Sequence, residues 1–92
     1  MWWKHQNLDK PIQDSAGKRW HFRVWHDFID GVYTQRIYFW SEDKQETGML
    51  EFAEGQAVHV RKLKQRITKL VKDPGYRRRY RRKLRFPIDR YY

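Results

Sequence analysis

Apolar and polar residues alternate along residues 18–28, where Trp20, Phe22 and Val24 fall on one side of an extended chain. Successive side chains of a β-strand point to opposite faces, so a period of two is typical of a strand with one buried face. The segment is therefore predicted to form a half-buried strand.

A second strand is predicted directly after the first. Asp30 and Gly31 have the chemistry of a tight hairpin turn, because glycine adopts positive φ without steric cost and aspartate tolerates it. Residues 32–40 then combine β-branched and aromatic side chains, and Ile37 and Phe39 join the buried face. The two segments together predict an antiparallel hairpin.

A short third strand is predicted at residues 49–53, with Leu50 and Phe52 on one side. It follows the polar residues 41–47, whose composition is typical of a loop. Residues 1–5 are a candidate fourth strand at an edge of the sheet.

The periodicity changes in residues 56–72, where apolar side chains recur at intervals of three and four and fall within an arc of about 100°. These side chains are Val60, Leu63, Ile67, Leu70 and Val71. The segment predicts an amphipathic helix that covers one face of the sheet. The expected fold class is α+β, with an antiparallel sheet packed by one C-terminal amphipathic helix.

Pro74 ends this helix, because proline disfavours helical backbone in the residue before it and cannot donate a backbone hydrogen bond. Asp73 and Pro74 are favourable as the N-cap and first residue of a new helix. A short Arg-rich helix is therefore predicted at residues 75–85. Its arginines repel one another at four-residue spacing, so this helix is expected to order fully on a partner.

The size of the chain indicates a single domain over residues 1–92, without disulfides because there is no cysteine. The longest apolar run is the four residues 37–40. A membrane span needs about 20 apolar residues, and the apolar core of a signal peptide at least about 7. These features predict a cytoplasmic protein with no membrane span.

The charge is concentrated in the C-terminal part of the chain. Of a net charge of +10, residues 1–56 carry −2 and residues 57–92 carry +12, and thirteen of the twenty-five positions in residues 61–85 are Lys or Arg. Such an excess is costly in self-repulsion unless an anionic partner neutralises it. A near-neutral β scaffold followed by a basic, anion-binding region is therefore predicted.

Arginine suits a phosphate backbone because guanidinium groups make charge-assisted, often bidentate contacts that release condensed counterions. The basic region is therefore predicted to bind nucleic acid, as duplex DNA or structured RNA, mainly through phosphate contacts. The candidate binding residues are Arg61, Lys62, Arg66, Lys69, Arg77, Arg78, Arg79, Arg81, Arg82, Lys83 and Arg85. The alternative is a protein-binding adaptor or inhibitor that presents the same basic face to an acidic partner protein.

The sheet face opposite the helix is a candidate stacking surface for bases. Its predicted members are His21, Arg23, Trp25, Arg36, Tyr38 and Trp40. Aromatic rings interleaved with arginine are typical of surfaces that bind single-stranded nucleic acid. In the alternative interpretation, a homodimer buries these rings, or other apolar residues cover them as a second small core. The residues available for that core are Trp2, Trp3, Phe86, Ile88, Tyr91 and Tyr92.

Neither catalysis nor a cofactor nor a metal site is predicted. The histidines at positions 5, 21, 26 and 59 match no ligand spacing, and the chain has no glycine-rich phosphate loop or nucleophile motif. Most carboxylates fall in predicted turns, and Glu51 is the one whose strand gives it a defined direction. An enzyme that cleaves nucleic acid with Glu51 is a third hypothesis.

The predicted order of elements, three strands followed by a helix, is similar to that of the plant AP2-type and integrase arm-type DNA-binding domains. Those domains read the major groove with the sheet. The sequence contains no diagnostic motif of either family, so the similarity is one of fold and assigns no residue roles.

Overall fold

A computed structural model describes residues 10–53 and 60–86 and confirms the α+β fold class. Four antiparallel strands form one sheet in the order β1-β2-β3-β4, and two helices follow. The elements are β1 (Ile12–Gln13), β2 (Arg19–Ile29), β3 (Val32–Ser41), β4 (Thr47–Ala53), α1 (Val60–Lys72) and α2 (Pro74–Arg79). Neither of these two helices has the length and apolar content to cross a membrane.

The predicted hairpin is confirmed as β2 and β3. Asp30 and Gly31 form its two-residue turn with φ values of 52° and 79°. Positive φ at both positions matches the twist of the flanking strands. Ile29 pairs with Val32 directly before and after the turn.

The core lies between α1 and one face of the sheet. The buried sheet residues are Trp20, Phe22, Val24, Ile37, Phe39 and Leu50, and the helix contributes Leu63, Ile67, Leu70 and Val71. The predicted helical stripe is thus confirmed at four of its five positions. The side chain of Val60 and residues 56–59 lie outside the described residues.

The fourth strand of the sheet is β1, a segment that carries no strand pattern in the sequence. Ile12 pairs with Trp20 there. Asp14 follows β1 and organises the turn into β2: its carboxylate accepts hydrogen bonds from the amides of Ala16 and Lys18, each 2.9 Å, and from the indole of Trp20, also 2.9 Å. The candidate strand at residues 1–5 lies outside the described residues.

Strand β4 begins at Thr47, two residues before the predicted start, and includes Gly48. Glycine is disfavoured within strands, so the sequence pattern placed it at the end of a loop. A Cβ atom at position 48 would lie 2.5 Å from the carbonyl oxygen of Tyr80 and would overlap the ring of Phe39. The close approach of these two groups, which the local sequence does not encode, requires glycine inside the strand.

The second helix is shorter than predicted. Asp73 caps it by accepting a hydrogen bond from the amide of Tyr76 at 3.1 Å, but the helix ends at Arg79 instead of residue 85. The chain then pairs with the edge of β4: the amide of Met49 donates to the carbonyl of Tyr80 (3.1 Å), and the amide of Arg82 to that of Thr47 (2.9 Å). The exposed edge of β4 provides partners for these backbone hydrogen bonds, whereas a longer helix would place arginines four residues apart, where their charges repel.

Gly48→Ala is expected to lower the free energy of unfolding by about 1–3 kcal/mol, the usual cost of forcing an extra methyl group into a packed site. The added atom displaces either the Phe39 ring or the backbone of Tyr80. Urea denaturation followed by tryptophan fluorescence measures the change. An unchanged unfolding midpoint would contradict the close approach of the residue 80 backbone to β4.

Stability is expected to fall with acidification through Asp14. The hydrogen bond from the Trp20 indole lowers the pKa of this carboxyl, and the amides of Lys18 and Ala16 act in the same direction. The folded state therefore binds a proton at Asp14 less tightly than the unfolded chain does. The stabilisation that ionised Asp14 contributes is complete above about pH 4 and is lost as the pH falls through the lowered pKa. Measured by urea denaturation, the stability difference between wild type and Asp14→Asn should narrow below about pH 4. A difference that stays constant over this range would contradict the assignment.

Candidate nucleic-acid interface

The exposed cations of residues 61–85 form what we call the basic surface. Eleven of the thirteen Lys and Arg residues in this stretch are exposed. They are Arg61, Lys62, Lys64, Lys69, Lys72, Arg78, Arg79, Arg81, Arg82, Lys83 and Arg85. The one acidic residue among them, Asp73, is engaged as the cap of α2. Lys64 and Lys72 join the predicted set because both are exposed on α1.

One part of the basic surface is the solvent side of α1. With 3.6 residues per turn, the positions opposite the buried stripe are Arg61, Gln65, Thr68 and Lys72, and Lys64 and Lys69 flank them. An open depression of about 600 Å³ runs along these six side chains and ends at Asp73. This part presents a row of cations on a rigid, packed helix.

The other part consists of α2 and the residues after it. Arg78 and Arg79 belong to the last turn of α2. Arg81, Arg82, Lys83 and Arg85 lie on residues 80–85, which we call the edge segment because it follows the edge of β4. Backbone pairing with β4 fixes the positions of Arg81 and Arg82. The arginines are therefore spread along a strand edge and not around a single helix.

Arg77, a predicted binding residue, is only 7% exposed. Its Nη1 donates to the carbonyls of Leu70 (2.8 Å) and Val71 (2.9 Å) in the last turn of α1. The guanidinium carbon lies 4.2 Å from the centre of a Trp20 ring, and Nε lies 3.6 Å from a carboxylate oxygen of Glu46. Arg77 therefore stabilises the fold, and its side chain is not presented to a ligand.

Arg66 is also buried, with 9% of its surface exposed. Its Nη1 donates to the amide oxygen of Gln35 at 3.0 Å, and its guanidinium carbon lies 3.5 Å from the ring centre of Phe52. The sequence contains a signal for this position, since Arg66 is three residues after Leu63 and four before Leu70. Those intervals place it at the margin of the buried stripe.

The predicted stacking residues do lie side by side on the sheet face opposite α1, which we call the outer face. The cross-strand pairs are His21 with Trp40, Arg23 with Tyr38, and Trp25 with Arg36. These six positions therefore meet as the alternation of the two strands predicts.

Most of the aromatic surface on the outer face is used within the protein. The rings of His21 and Trp40 stack at 5.7 Å, and the ring of Phe86 contacts Trp40 edge to face at 5.6 Å. Tyr38 is only 5% exposed. This packing of Phe86 agrees with the alternative prediction of a second small core; the other residues named for it, at positions 2, 3, 88, 91 and 92, lie outside the described residues.

Between the outer face and the edge segment lies a groove of about 710 Å³, which we call the edge groove. Its lining residues are Arg36, Tyr38, Met49, Glu51, Tyr80, Arg82, Lys83, Leu84 and Arg85. The sequence pattern does not mark Met49, Tyr80 or Leu84 as members of any site. They meet only because the chain leaves the helix at Tyr80 and follows β4.

Arg36 is held in a fixed orientation at this groove. Its Nε donates to Oε2 of Glu51 at 2.5 Å, and its guanidinium carbon lies 4.8 Å from the centre of a Trp25 ring. The hydrogen bond to Glu51 is the main cause that raises the pKa of Arg36, and a bond to Tyr38 adds to it. Glu51, the one carboxylate considered for catalysis, is therefore paired with a cation.

Within residues 10–53 and 60–86, no group of three His, Asp or Glu side chains converges to hold a metal ion. No protein-family model matches the chain, and searches of curated proteins and of solved structures find no match either.

Arg77→Ala is expected to lower the free energy of unfolding by about 1–3 kcal/mol, because it leaves the carbonyls of Leu70 and Val71 at the end of α1 without their donor. The matched control is Arg78→Ala, which removes an exposed arginine next to it and should change stability by less than about 0.5 kcal/mol. Urea denaturation of both variants measures the difference. Equal stabilities would contradict the interior position of Arg77.

Proposed function

We propose that the protein binds nucleic acid, as duplex DNA or structured RNA, through phosphate contacts made by the basic surface. The observation that carries the proposal is the exposure of eleven Lys and Arg residues within residues 61–85. Arg66 and Arg77 are not part of the proposed contact set, because both are buried within the fold.

The type of cation supports phosphate as the ligand. Six of the eleven exposed residues are arginine, whose planar guanidinium makes two parallel hydrogen bonds to one phosphate group. Each neutralised phosphate releases a condensed counterion, and this gain in entropy grows with the number of contacts. A surface with many exposed cations therefore favours a polymer of phosphates over a single small anion.

The difference in charge between the β scaffold and the C-terminal region favours one orientation of the protein on its ligand. In the β scaffold, Lys18 lies 3.1 Å from Glu46 and Arg19 lies 3.6 Å from Glu42, so these cations are neutralised within the protein. The C-terminal region has one acidic residue between positions 60 and 86, Asp73. The excess positive charge thus belongs to the C-terminal region, and a polyanion is expected to approach α1, α2 and the edge segment.

The placement of the cations favours binding with limited sequence preference. Phosphate contacts fix position and orientation on a duplex but carry no direct sequence information. The cations are spread over the solvent side of α1, over α2 and along a strand edge, and this distribution suits a curved backbone more than the edges of a few bases.

The affinity for random-sequence duplex DNA or RNA is expected to depend steeply on salt. A protein with 6–10 phosphate contacts loses about 10³–10⁵ in affinity between about 50 and 200 mM salt. The double variant Arg78→Gln/Arg79→Gln should reduce the logarithmic salt slope by about 0.9 for each lost contact. Fluorescence anisotropy titrations at several salt concentrations provide the measurement.

The matched control is Lys10→Gln/Arg19→Gln, which removes the same charge from exposed residues of the β scaffold and should leave the slope near that of wild type. A slope near zero for the wild type would contradict the proposal. So would equal affinity for an acidic polypeptide such as polyglutamate, because that result indicates the adaptor function in its place.

A further inference from the structure

The edge groove differs in chemistry from the rest of the basic surface. Its lining includes the apolar side chains of Met49 and Leu84 and the aromatic side chain of Tyr38. Arg82, Lys83 and Arg85 line the same groove and are all exposed. An apolar lining beside several cations suits a ligand that carries both a flat ring and a phosphate.

Among the residues that the structure describes, Glu51 is the one carboxylate at the groove, and its charge does not repel an anionic ligand. Glu51 accepts the hydrogen bond from Arg36, so the two charges neutralise each other at the groove wall. The cations of the edge segment therefore set the electrostatic potential of the site. Its volume of about 710 Å³ falls in the range of roughly 300–1,000 Å³ that is usual for small-ligand sites.

Arg36 supplies a flat surface inside this groove. Trp25 covers one side of its guanidinium group, while Glu51 holds Nε. Trp25 itself does not line the groove, and the Arg36 side chain keeps 32% of its surface exposed. Guanidinium planes are among the surfaces on which proteins stack unpaired bases. A base on the groove side of Arg36 would complete a stack of ring, guanidinium and ring.

We propose that the edge groove binds one unpaired nucleotide, with its base against Arg36 and its phosphates beside Arg82, Lys83 and Arg85. This inference rests on the proposed binding of nucleic acid and adds a preference for a bulged or extruded nucleotide. The neighbouring cations of α2 and the edge segment hold the flanking duplex, and the groove recognises the point at which pairing is interrupted.

The test uses labelled RNA duplexes that are identical except for one central unpaired nucleotide. Wild-type protein should bind the bulged duplex about tenfold more tightly than the perfect one, because base stacking on a protein surface is worth about that factor or more. Arg36→Lys keeps the charge but removes the guanidinium plane, so it should abolish this preference without changing the salt slope. Arg61→Lys, the same substitution on α1, should keep the preference. Anisotropy at fixed salt gives the affinities, and circular dichroism checks folding.

A second pair of variants tests the groove with exposed residues, whose replacement does not threaten the fold. Lys83→Gln/Arg85→Gln should weaken binding to the bulged duplex more than to the perfect duplex. Lys64→Gln/Lys72→Gln removes the same charge from α1 and should weaken both equally. Together the two pairs separate a local site from the overall charge of the protein.

The possible failures are distinguishable. Equal affinity of wild-type protein for the two duplexes, or a preference that survives Arg36→Lys, would overturn the edge groove as a nucleotide site and leave the proposed function intact. An equal effect of the two Gln double variants on both duplexes would do the same. Absence of salt-dependent binding to either duplex would overturn the proposed function and the site with it.

Discussion

The interior position of Arg77 determines how the C-terminal half of the protein is arranged. The last turn of a helix leaves carbonyl groups without partners and carries a partial negative charge, and the Arg77 guanidinium satisfies two of these carbonyls. The same group lies against Trp20 of β2 and beside Glu46 of the β3–β4 loop. One side chain thus joins both helices to the sheet. Since α2 is held in this way, the edge segment leaves it next to the open edge of β4.

The pairing of the edge segment with β4 distributes the positive charge. Eleven exposed cations repel one another, and separate elements hold them apart on α1, on α2 and along the strand edge. The acidic residues near them serve the fold, since Asp73 caps α2 and Glu46 contacts Arg77. The remaining positive potential is compensated most effectively by an external polyanion, which is the physical basis of the proposed function.

The outer face combines two kinds of surface. Towards one end, Trp40 stacks on His21 and contacts Phe86 edge to face. In the middle, Arg36 and Glu51 are paired at the wall of the edge groove. Aromatic content alone therefore overstates the area open to a base. The Arg36 side chain is partly exposed there, and its contacts with Trp25 and Glu51 orient it, a preorganisation that lowers the cost of binding.

Local chemistry determined β2, β3 and α1. The alternation of apolar and polar residues predicted β2 and β3, the residue types at Asp30 and Gly31 predicted their turn, and the helical stripe predicted α1. Each of these patterns acts between residues close in the chain. The concentration of cations in residues 61–85 is likewise a property of the sequence. Tertiary structure alone decided that Arg77 is buried, where α2 ends and how the edge groove forms. Burial of Arg77 and glycine at position 48 both depend on groups distant in the chain, and backbone pairing with β4 outcompetes the local helical preference of residues 80–85.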